Sequence, residues 1–206
     1  KLIGLNENSR ILDLGGGFGG SMRRVVKTFN CKAVVLNLSE KENERDRKMN
    51  KEQNLDHLMD VVDGAFEQLP FEDESFDFAW SEDSILHSPD RETVLREAYR
   101  ILKPQGQIVF TDPMQMDDCP EGVLEPIYER IHLESLASPG FYWQTAEKIG
   151  FEVSSYEDLR IHLPRHYQAV HDELESREDE VSKVVSGEYI DNMKRGLQHW
   201  VKGGKD

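Results

Sequence analysis

Residues 9–20 read SRILDLGGGFGG, and this stretch decides the fold. An apolar run at Ile11, Leu12 and Leu14 leads into glycines at positions 15, 16, 17, 19 and 20. The pattern is typical of a buried strand that enters a tight turn and then a helix, as in a nucleotide-binding βα unit. The glycines fit Gly15-x-Gly17-x-x-Gly20 as well as Gly15-x-Gly17-x-Gly19, so the turn alone does not identify the nucleotide.

Strand-like and helix-like segments alternate along the chain, which predicts a single α/β domain built from parallel βαβ units. The predicted strands cover residues 10–14, 33–38, 59–62, 76–80, 107–111 and 151–156, and none is predicted after residue 156. The predicted helices cover residues 21–29, 39–54, 89–102, 121–138, 142–149 and most of 164–200. We interpret Ser39 and Glu42 as a capping box on a solvated surface helix, and Ser88 as the N-cap before Pro89.

The charge balance indicates a small ligand. The chain has 206 residues, with 25 lysines and arginines against 40 aspartates and glutamates, a formal net charge of -15. This surplus argues against nucleic acid and against an anionic membrane as partners, and it could also mark adaptation to high salt.

The cysteine pattern indicates neither a disulfide framework nor a metal site. Cys31 and Cys119 show no CxxC spacing and no His/Cys cluster. No run reaches the ~18 apolar residues of a membrane span, and residues 1–8 have no signal-peptide character. We therefore expect a cytoplasmic protein.

Asp13 favours a cationic ligand over a pyrophosphate, because its carboxylate stands two residues before the first glycine of the turn. S-adenosylmethionine carries an ammonium and a sulfonium and has no phosphate. An NAD-dependent oxidoreductase would need an acidic residue at the ribose position and a catalytic set that the chain does not offer.

The pattern Asp13-x-Gly15-x-Gly17-x-Gly19 resembles the first motif of class I S-adenosylmethionine-dependent methyltransferases. Four later segments resemble that family's motifs in the same order: residues 34–37, 64–71, 75–81 and 100–106. The resemblance implies a Rossmann-like, doubly wound, mostly parallel sheet. It also implies a cofactor-binding core at about residues 1–112 and substrate-side helices with a late strand at about 113–206.

A closer resemblance, over nearly the whole chain, is to the sarcosine/dimethylglycine N-methyltransferases, which make glycine betaine. It is carried by residues 36–38, 80–90, 111–114, 166–167 and 192–200. Members of that family begin with a longer N-terminal segment and continue into a last strand, so the chain resembles a core that lacks both. The resemblance implies a small amine substrate, sarcosine or dimethylglycine, and a monomer or homodimer.

The resemblance assigns cofactor roles to residues around the glycine turn. Asn37 takes the ribose position, where most of the wider family has an acidic residue; its amide can still bridge the hydroxyls. Phe66 could stack on adenine or fill the core. The expected cofactor-binding residues are Asp13, Gly15, Gly16, Gly17, Gly19, Asn37, Leu38, Ala65, Phe66 and Ser81.

The reaction needs a free amine, so we look for groups that accept a proton and groups that hold a carboxylate and a quaternary ammonium. Glu82 and His87 are the expected catalytic residues, although His87 could instead order the turn before Pro89. The expected substrate-binding residues are Trp80, Arg165, His166 and Tyr167, with Arg130, Tyr142 and Trp143 as further candidates. Each aromatic side chain could equally belong to the core.

Two alternatives stay open at this point. A methyltransferase of the same fold could act on phosphoethanolamine, a sterol or a lipid, although the chain has no basic cluster for a phosphorylated substrate. A non-catalytic cofactor-binding domain is the second, and it would bind S-adenosylmethionine without turnover.

Overall fold

The computed structural model describes residues 4–204, except for the side chains of residues 130 and 131. Five strands form one sheet: β1 (Arg10–Leu14), β2 (Lys32–Asn37), β3 (Met59–Asp63), β4 (Phe76–Glu82) and β5 (Leu102–Thr111). Their order is β3-β2-β1-β4-β5, and every pairing is parallel. The predicted Rossmann-like α/β fold is confirmed.

The helices of the described chain are α1 (Gly20–Phe29), α2 (Glu40–Glu52), α3 (Arg91–Ile101), α4 (Glu125–Ile131), α5 (Pro139–Ile149), α6 (Leu163–Ser176), α7 (Glu178–Val181) and α8 (Gly187–Gly203). Single turns of 3₁₀-helix cover Ile85–His87 and Arg160–His162. None of the helices within residues 4–204 has the length and apolar character needed to cross a membrane.

The order of the strands places the ligand edge. The chain runs outward from β1 through β2 to β3 and then returns to the other side of β1 with β4 and β5. Because crossovers between parallel strands are right-handed, this reversal puts a crevice at the carboxyl ends of β1 and β4. The glycine turn follows β1 directly, so it lies at that crevice.

The core explains why the central strands read as apolar runs. Ile11 and Val35 pack with Met22 and Val26 of α1 on one face of the sheet. Leu12 and Leu14 are also fully buried, and strand alternation directs them to the opposite face. A parallel strand covered on both faces has no polar side to show.

The chain forms two compact units. The first contains the chain up to Met114 together with Pro139–Glu152, and it includes the whole sheet. The second contains Gln115–Ser138 and the chain from Val153 onward. The expectation of a single methyltransferase domain stays a prediction.

Two predicted boundaries of regular structure are wrong. The strand predicted at residues 151–156 is absent: residues 151–159 form no strand, and no strand of the described sheet pairs with them. Helix α3 begins after Asp90 rather than Ser88: Asp90 accepts a hydrogen bond from the Thr93 amide at 3.0 Å. Ser88 Oγ is already engaged, because it donates to Glu67 Oε1 at 2.5 Å and accepts from the Asp90 amide.

Other helices differ from their predictions in extent or burial. The helix predicted over residues 121–138 is reduced to α4, whereas the amphipathic helices predicted over about 164–200 are present as α6, α7 and α8. Helix α2 is not simply solvated, because Asn43, Asp46 and Asn50 are buried along one face. Ser39 caps it as predicted, but the Glu42 carboxylate accepts a hydrogen bond from Asn37.

Candidate functional site

The backbone of the glycine turn takes a course that favours glycine. Gly15, Gly17 and Gly19 have φ angles of 76°, 54° and 68°, the left-handed region. The amides of Gly15 and Gly16 both donate to the Leu36 carbonyl, at 2.8 and 3.4 Å. Because these two donors are already used within the protein, they are not presented to a phosphate.

The glycine turn is packed closely against the protein at Gly15 and Gly16 and is open at Gly17. A Cβ at Gly16 would lie 2.5 Å from Asp13 Oδ2, and one at Gly15 would lie 2.6 Å from Ser84 Cβ. A Cβ at Gly17 would meet no described atom within 4 Å. The turn therefore rests closely on the protein beneath it and leaves room at Gly17 for a ligand.

Asp13 lies under this turn and is 3% exposed. Burial, with the negative charges of Glu82 and Asp46 nearby, raises the pKa of Asp13 to about 8. A buried carboxyl group of this kind gains its charge most readily when a cation comes close. The Asp13 carboxyl group under the turn therefore suits the ammonium or sulfonium of S-adenosylmethionine better than a pyrophosphate.

The end of β2 carries a polar pair. Asn37 Nδ2 donates to Glu42 Oε2 at 2.9 Å, which leaves the amide oxygen of Asn37 free of that contact. Glu42 was not among the expected site residues, since its position suggested only a helix cap. The pair places a carboxylate next to the Asn37 amide at the end of β2. Next to it, Leu38 is 69% exposed.

The loop after β3 lies against the end of β2, because the Gly64 amide donates to the Asn37 carbonyl at 3.2 Å. Ala65 is partly buried and Phe66 is buried. Phe66 Cε1 lies 3.5 Å from the position that a Cβ of Gly15 would occupy. The structure thus brings Phe66 beside the glycine turn.

The end of β4 closes the crevice on its other side. Ser81 is buried, and its hydroxyl donates to the Leu14 carbonyl at 3.0 Å, which joins β4 to β1. Glu82 is exposed and accepts a hydrogen bond from Ser21 Oγ at 2.5 Å. Glu82 therefore stands at the first turn of α1, beyond the glycines.

His87 lies on the 3₁₀ turn after β4, and its side chain is exposed. Partial desolvation, with repulsion from the Arg91 charge, lowers the pKa of His87. A lowered pKa keeps the imidazole neutral near pH 7, so it can accept a proton.

Sequence reasoning missed Asp112 as a site residue. Asp112 follows β5, accepts from the Leu86 amide at 3.0 Å and accepts from Tyr142 Oη at 2.6 Å. Desolvation raises the pKa of Asp112 to about 6, against the opposing effect of the Tyr142 hydrogen bond. Its place after the last strand was the available signal. Asp112 holds the loop that carries His87.

Two candidate aromatic residues differ in their surroundings. Trp80 packs against the core cluster of β1 and α1, and its buried Nε1 has no hydrogen-bond partner among the described residues. Trp143 is exposed, and its Nε1 donates to Glu147 at 2.9 Å.

The remaining substrate candidates belong to the second unit, on helix α6. Arg165 and His166 are exposed on the first turn of this helix. Tyr167 stacks on Trp200, with ring centroids 5.0 Å apart. The side chain of Arg130 lies outside the described part of the chain.

One group of potential metal ligands occurs in the described chain, formed by His171, Asp172 and Glu175 of α6. Both carboxylates are exposed, and Lys194 Nζ lies 4.0 Å from Glu175 Oε1. Exposed acidic groups next to a lysine need no ion to balance their charge, so we assign no metal to them.

The fold and the glycine crevice define a class of enzyme. A family model described as a methyltransferase domain matches residues 12–110, the segment from β1 to β5. The Haemonchus contortus phosphoethanolamine N-methyltransferase 2, solved with S-adenosyl-L-methionine, shares the fold: the TM-score is 0.87 at 20% identity, over 96% of this chain and 45% of that one. The class is that of S-adenosylmethionine-dependent methyltransferases, and S-adenosylmethionine is the cofactor.

Within that class, the full-length similarity is more specific. A sarcosine/dimethylglycine N-methyltransferase from Halorhodospira halochloris is 58% identical over 97% of this chain and 72% of its own length. A crystal structure assigned to a sarcosine dimethylglycine methyltransferase from Galdieria sulphuraria superposes with a TM-score of 0.93, at 38% identity over 98% of this chain and 74% of that one. The chain belongs to the sarcosine/dimethylglycine N-methyltransferase family.

Proposed function

We propose that this enzyme methylates sarcosine, dimethylglycine or both on nitrogen, toward glycine betaine. The observation that carries the proposal is the 58% identity, over 97% of the chain, to the sarcosine/dimethylglycine N-methyltransferase of Halorhodospira halochloris. The site agrees with it, since a buried carboxyl group under a glycine turn suits a cationic cofactor.

The described residues of the first unit would hold the cofactor. Asp13 and the turn at Gly15, Gly16, Gly17 and Gly19 would bind its methionine portion, and a Cβ at Gly15, Gly16 or Gly19 would collide with the protein around the turn. Asn37, supported by Glu42, would bind the ribose hydroxyls. The adenine end of the cofactor would be lined by Leu38, Ala65, Phe66 and Ser81. When bound, S-adenosylmethionine supplies a methyl group made electrophilic by the sulfonium.

The acceptor must reach the site as a free amine. An aliphatic amine titrates near ~10 in water, so the protein must shift its protonation by desolvation or by a nearby base. The lowered pKa of His87 leaves its imidazole neutral near pH 7, so its free nitrogen would accept that proton, and Glu82 at the end of β4 is the second proposed acceptor. In sarcosine methylation the N–C bond forms as the C–S bond breaks, and the product ammonium then loses a proton. Dimethylglycine gives a quaternary product and has none to lose.

The substrate also carries a carboxylate and develops a permanent positive charge. The exposed Arg165 and His166 of α6 would pair with the carboxylate. Tyr167 stacks one face on Trp200 and would offer its other face to the quaternary ammonium. Trp80 packs against the core cluster of the first unit, so only the exposed part of its ring would serve the same purpose. We further propose that the enzyme acts on a small molecule, is a monomer or homodimer, and is located in the cytoplasm.

Mass spectrometry of single-amine reactions tests the activity directly. The enzyme is incubated with S-adenosylmethionine and either glycine, sarcosine, dimethylglycine or phosphoethanolamine, at low and high potassium chloride. Betaine formed from dimethylglycine supports the proposal. Product from phosphoethanolamine alone would replace it with another acceptor, and cofactor binding without product from any amine would indicate a non-catalytic domain.

Two substitutions then test the assignment of the base. His87→Gln is expected to lower kcat by about 10², with little change in the affinity for S-adenosylmethionine. Glu52→Gln on the exposed side of α2 removes one negative charge far from the crevice and serves as the matched control. A fully active His87→Gln enzyme would transfer the role of base away from this residue.

A further inference from the structure

Helix α2 carries a row of buried polar side chains that the reaction itself does not use. Asn43 and Asp46 have no exposed surface and Asn50 is 1% exposed. Their spacing of three and four residues places them on one face of the helix. The rest of α2 is strongly polar and faces water, so this face is where the helix meets the sheet and α1.

One end of the row supports the glycine turn. Arg23 of α1 is 5% exposed, and its guanidinium donates to Asp46, to Asn50 Oδ1 at 3.0 Å and to the Phe18 carbonyl at 2.6 Å. Phe18 is the residue between Gly17 and Gly19. A Cβ at Gly19 would collide with the Asp46 carboxylate. Helix α2 is therefore in contact with the turn and is joined to its backbone through Arg23.

The other end of the row holds the end of β2. Asn43 Nδ2 donates to the Asn37 carbonyl at 2.9 Å and to Asp63 Oδ1 at 2.8 Å. Asn37 is the residue proposed for the ribose, and Asp63 ends β3. The same helix thus fixes the backbone at the glycine turn, proposed for the methionine portion of the cofactor, and at the end of β2, proposed for the ribose.

Packing alone does not require this arrangement. Buried polar groups destabilise a fold unless all are satisfied, and apolar side chains of similar volume would serve as well or better. Asn43 Oδ1, Asp46 Oδ2 and Asn50 Nδ2 have no hydrogen-bond partner among the described residues. The polar atoms of the row are incompletely paired, and the row contacts both the glycine turn and the end of β2, so we interpret its residues as positioning the cofactor site.

We propose that Arg23, Asp46 and Asn43 are positioning residues for S-adenosylmethionine: through helix α2 they fix the backbone at Phe18 and at Asn37, two points that the direct bonds of Gly15 and Gly16 to Leu36 do not reach. The inference rests on cofactor binding, not on the identity of the amine. Its failure is thus distinguishable from a failure of the proposed function: cofactor affinity tests the first and the methylated product tests the second.

The decisive variant combines Arg23→Leu with Asp46→Leu. Replacing a buried ion pair by apolar residues leaves no unpaired charge, so the fold is expected to be retained, but the bond to the Phe18 carbonyl is lost. Calorimetric titration with S-adenosylmethionine is expected to show a Kd raised about ten-fold, the equivalent of one hydrogen bond to a charged group. The KM for the amine should stay unchanged. Glu52→Gln, on the exposed side of the same helix, should bind as the unmodified enzyme does.

Asn43→Ala tests the other end of the row and gives a result even if the double variant does not fold. It removes one amide and should raise the Kd for S-adenosylmethionine by a similar factor, with circular dichroism reporting the fold. A folded double variant, or a folded Asn43→Ala enzyme, that binds S-adenosylmethionine with unchanged affinity would overturn the proposal and leave the row a purely structural role.

Discussion

Asp13 holds a carboxyl group that is mostly protonated at neutral pH in the cofactor-free enzyme, because its pKa is raised to about 8. A cation bound above the glycine turn favours the charged form and so lowers that pKa. We expect S-adenosylmethionine binding at pH 7 to release part of a proton. Calorimetry in two buffers of different ionisation enthalpy measures it.

The variant Asp13→Asn keeps the size of the side chain but removes the titratable carboxyl group. It should bind the cofactor with no such release, and equal release in both proteins would contradict the assignment.

The raised pKa of Asp13 also affects stability. The protonated carboxyl group contributes fully to folding below its unfolded pKa of about 4, and that contribution is lost as the pH rises through about 8. The melting temperature of Asp13→Asn should therefore depend less on pH over this range.

The pair formed by Asp112 and Tyr142 gives a second prediction at the residue scale. Tyr142→Phe removes the hydroxyl that donates to Asp112 at 2.6 Å. That hydrogen bond favours the charged carboxylate, so its loss should raise the pKa of Asp112 above its value of about 6. Carbon-13 NMR titration of the aspartate carboxyl groups measures the shift.

Stability should report the same change. At pH 8 the Tyr142→Phe enzyme is expected to be less stable by about 1 to 3 kcal/mol, because an ionised and largely buried carboxylate loses a donor. At pH 5 Asp112 is mostly protonated, so the difference should be smaller. A loss of stability that is equal at both pH values would mean that the Tyr142 hydroxyl contributes independently of the charge on Asp112, since the ring that packs against Phe110 is retained.

At the scale of elements, the junction between the glycine turn and α1 is the place where one methyl group has a large effect. Gly19 is the N-cap of α1 with a φ of 68°, and a Cβ there would collide with Asp46. Gly19→Ala should therefore lower stability by about 1 to 3 kcal/mol through strain and displaced contacts. Thermal denaturation of the cofactor-free enzyme measures the change.

Gly20→Ala is the matched control one residue later. Gly20 is the first residue of α1, and a Cβ there meets no described atom within 4 Å. Alanine is a better helix former by roughly 1 kcal/mol, so this variant should be neutral or slightly more stable. Similar losses in both variants would show that the turn tolerates no substitution at all, independently of Asp46.

At the scale of the whole molecule, the formal net charge of -15 predicts a dependence on salt. Self-repulsion among surplus carboxylates destabilises the compact state, and salt shortens the Debye length from ~10 Å at 0.1 M to ~3 Å at 1 M. The melting temperature should therefore rise with potassium chloride over this range. Sodium chloride should have a similar effect, and a melting temperature that falls with either salt would contradict the explanation.

The sequence by itself determined the fold class and the position of the ligand edge. Residues 10–20 contain an apolar run followed by five glycines. Such a local pattern is enough to predict a buried strand and a tight turn. The sequence also predicted that Asp13, the glycine turn and Asn37 lie near one another, because parallel strands end at one edge of a sheet. The ends of α3 and the segment 151–159 did not follow, since caps and strand ladders depend on which neighbours are free to bond.

Only the tertiary structure decided the burial and the partners of the charged groups. Local pattern made α2 a solvated helix, whereas contacts with Arg23 and the end of β2 bury Asn43 and Asp46. Asp112 became a site residue only when β5 brought it to Leu86 and Tyr142. The physical reason is that desolvation and hydrogen bonding arise between groups distant in sequence, so a residue's type shows that it can ionise, and its tertiary environment sets the pH at which it does.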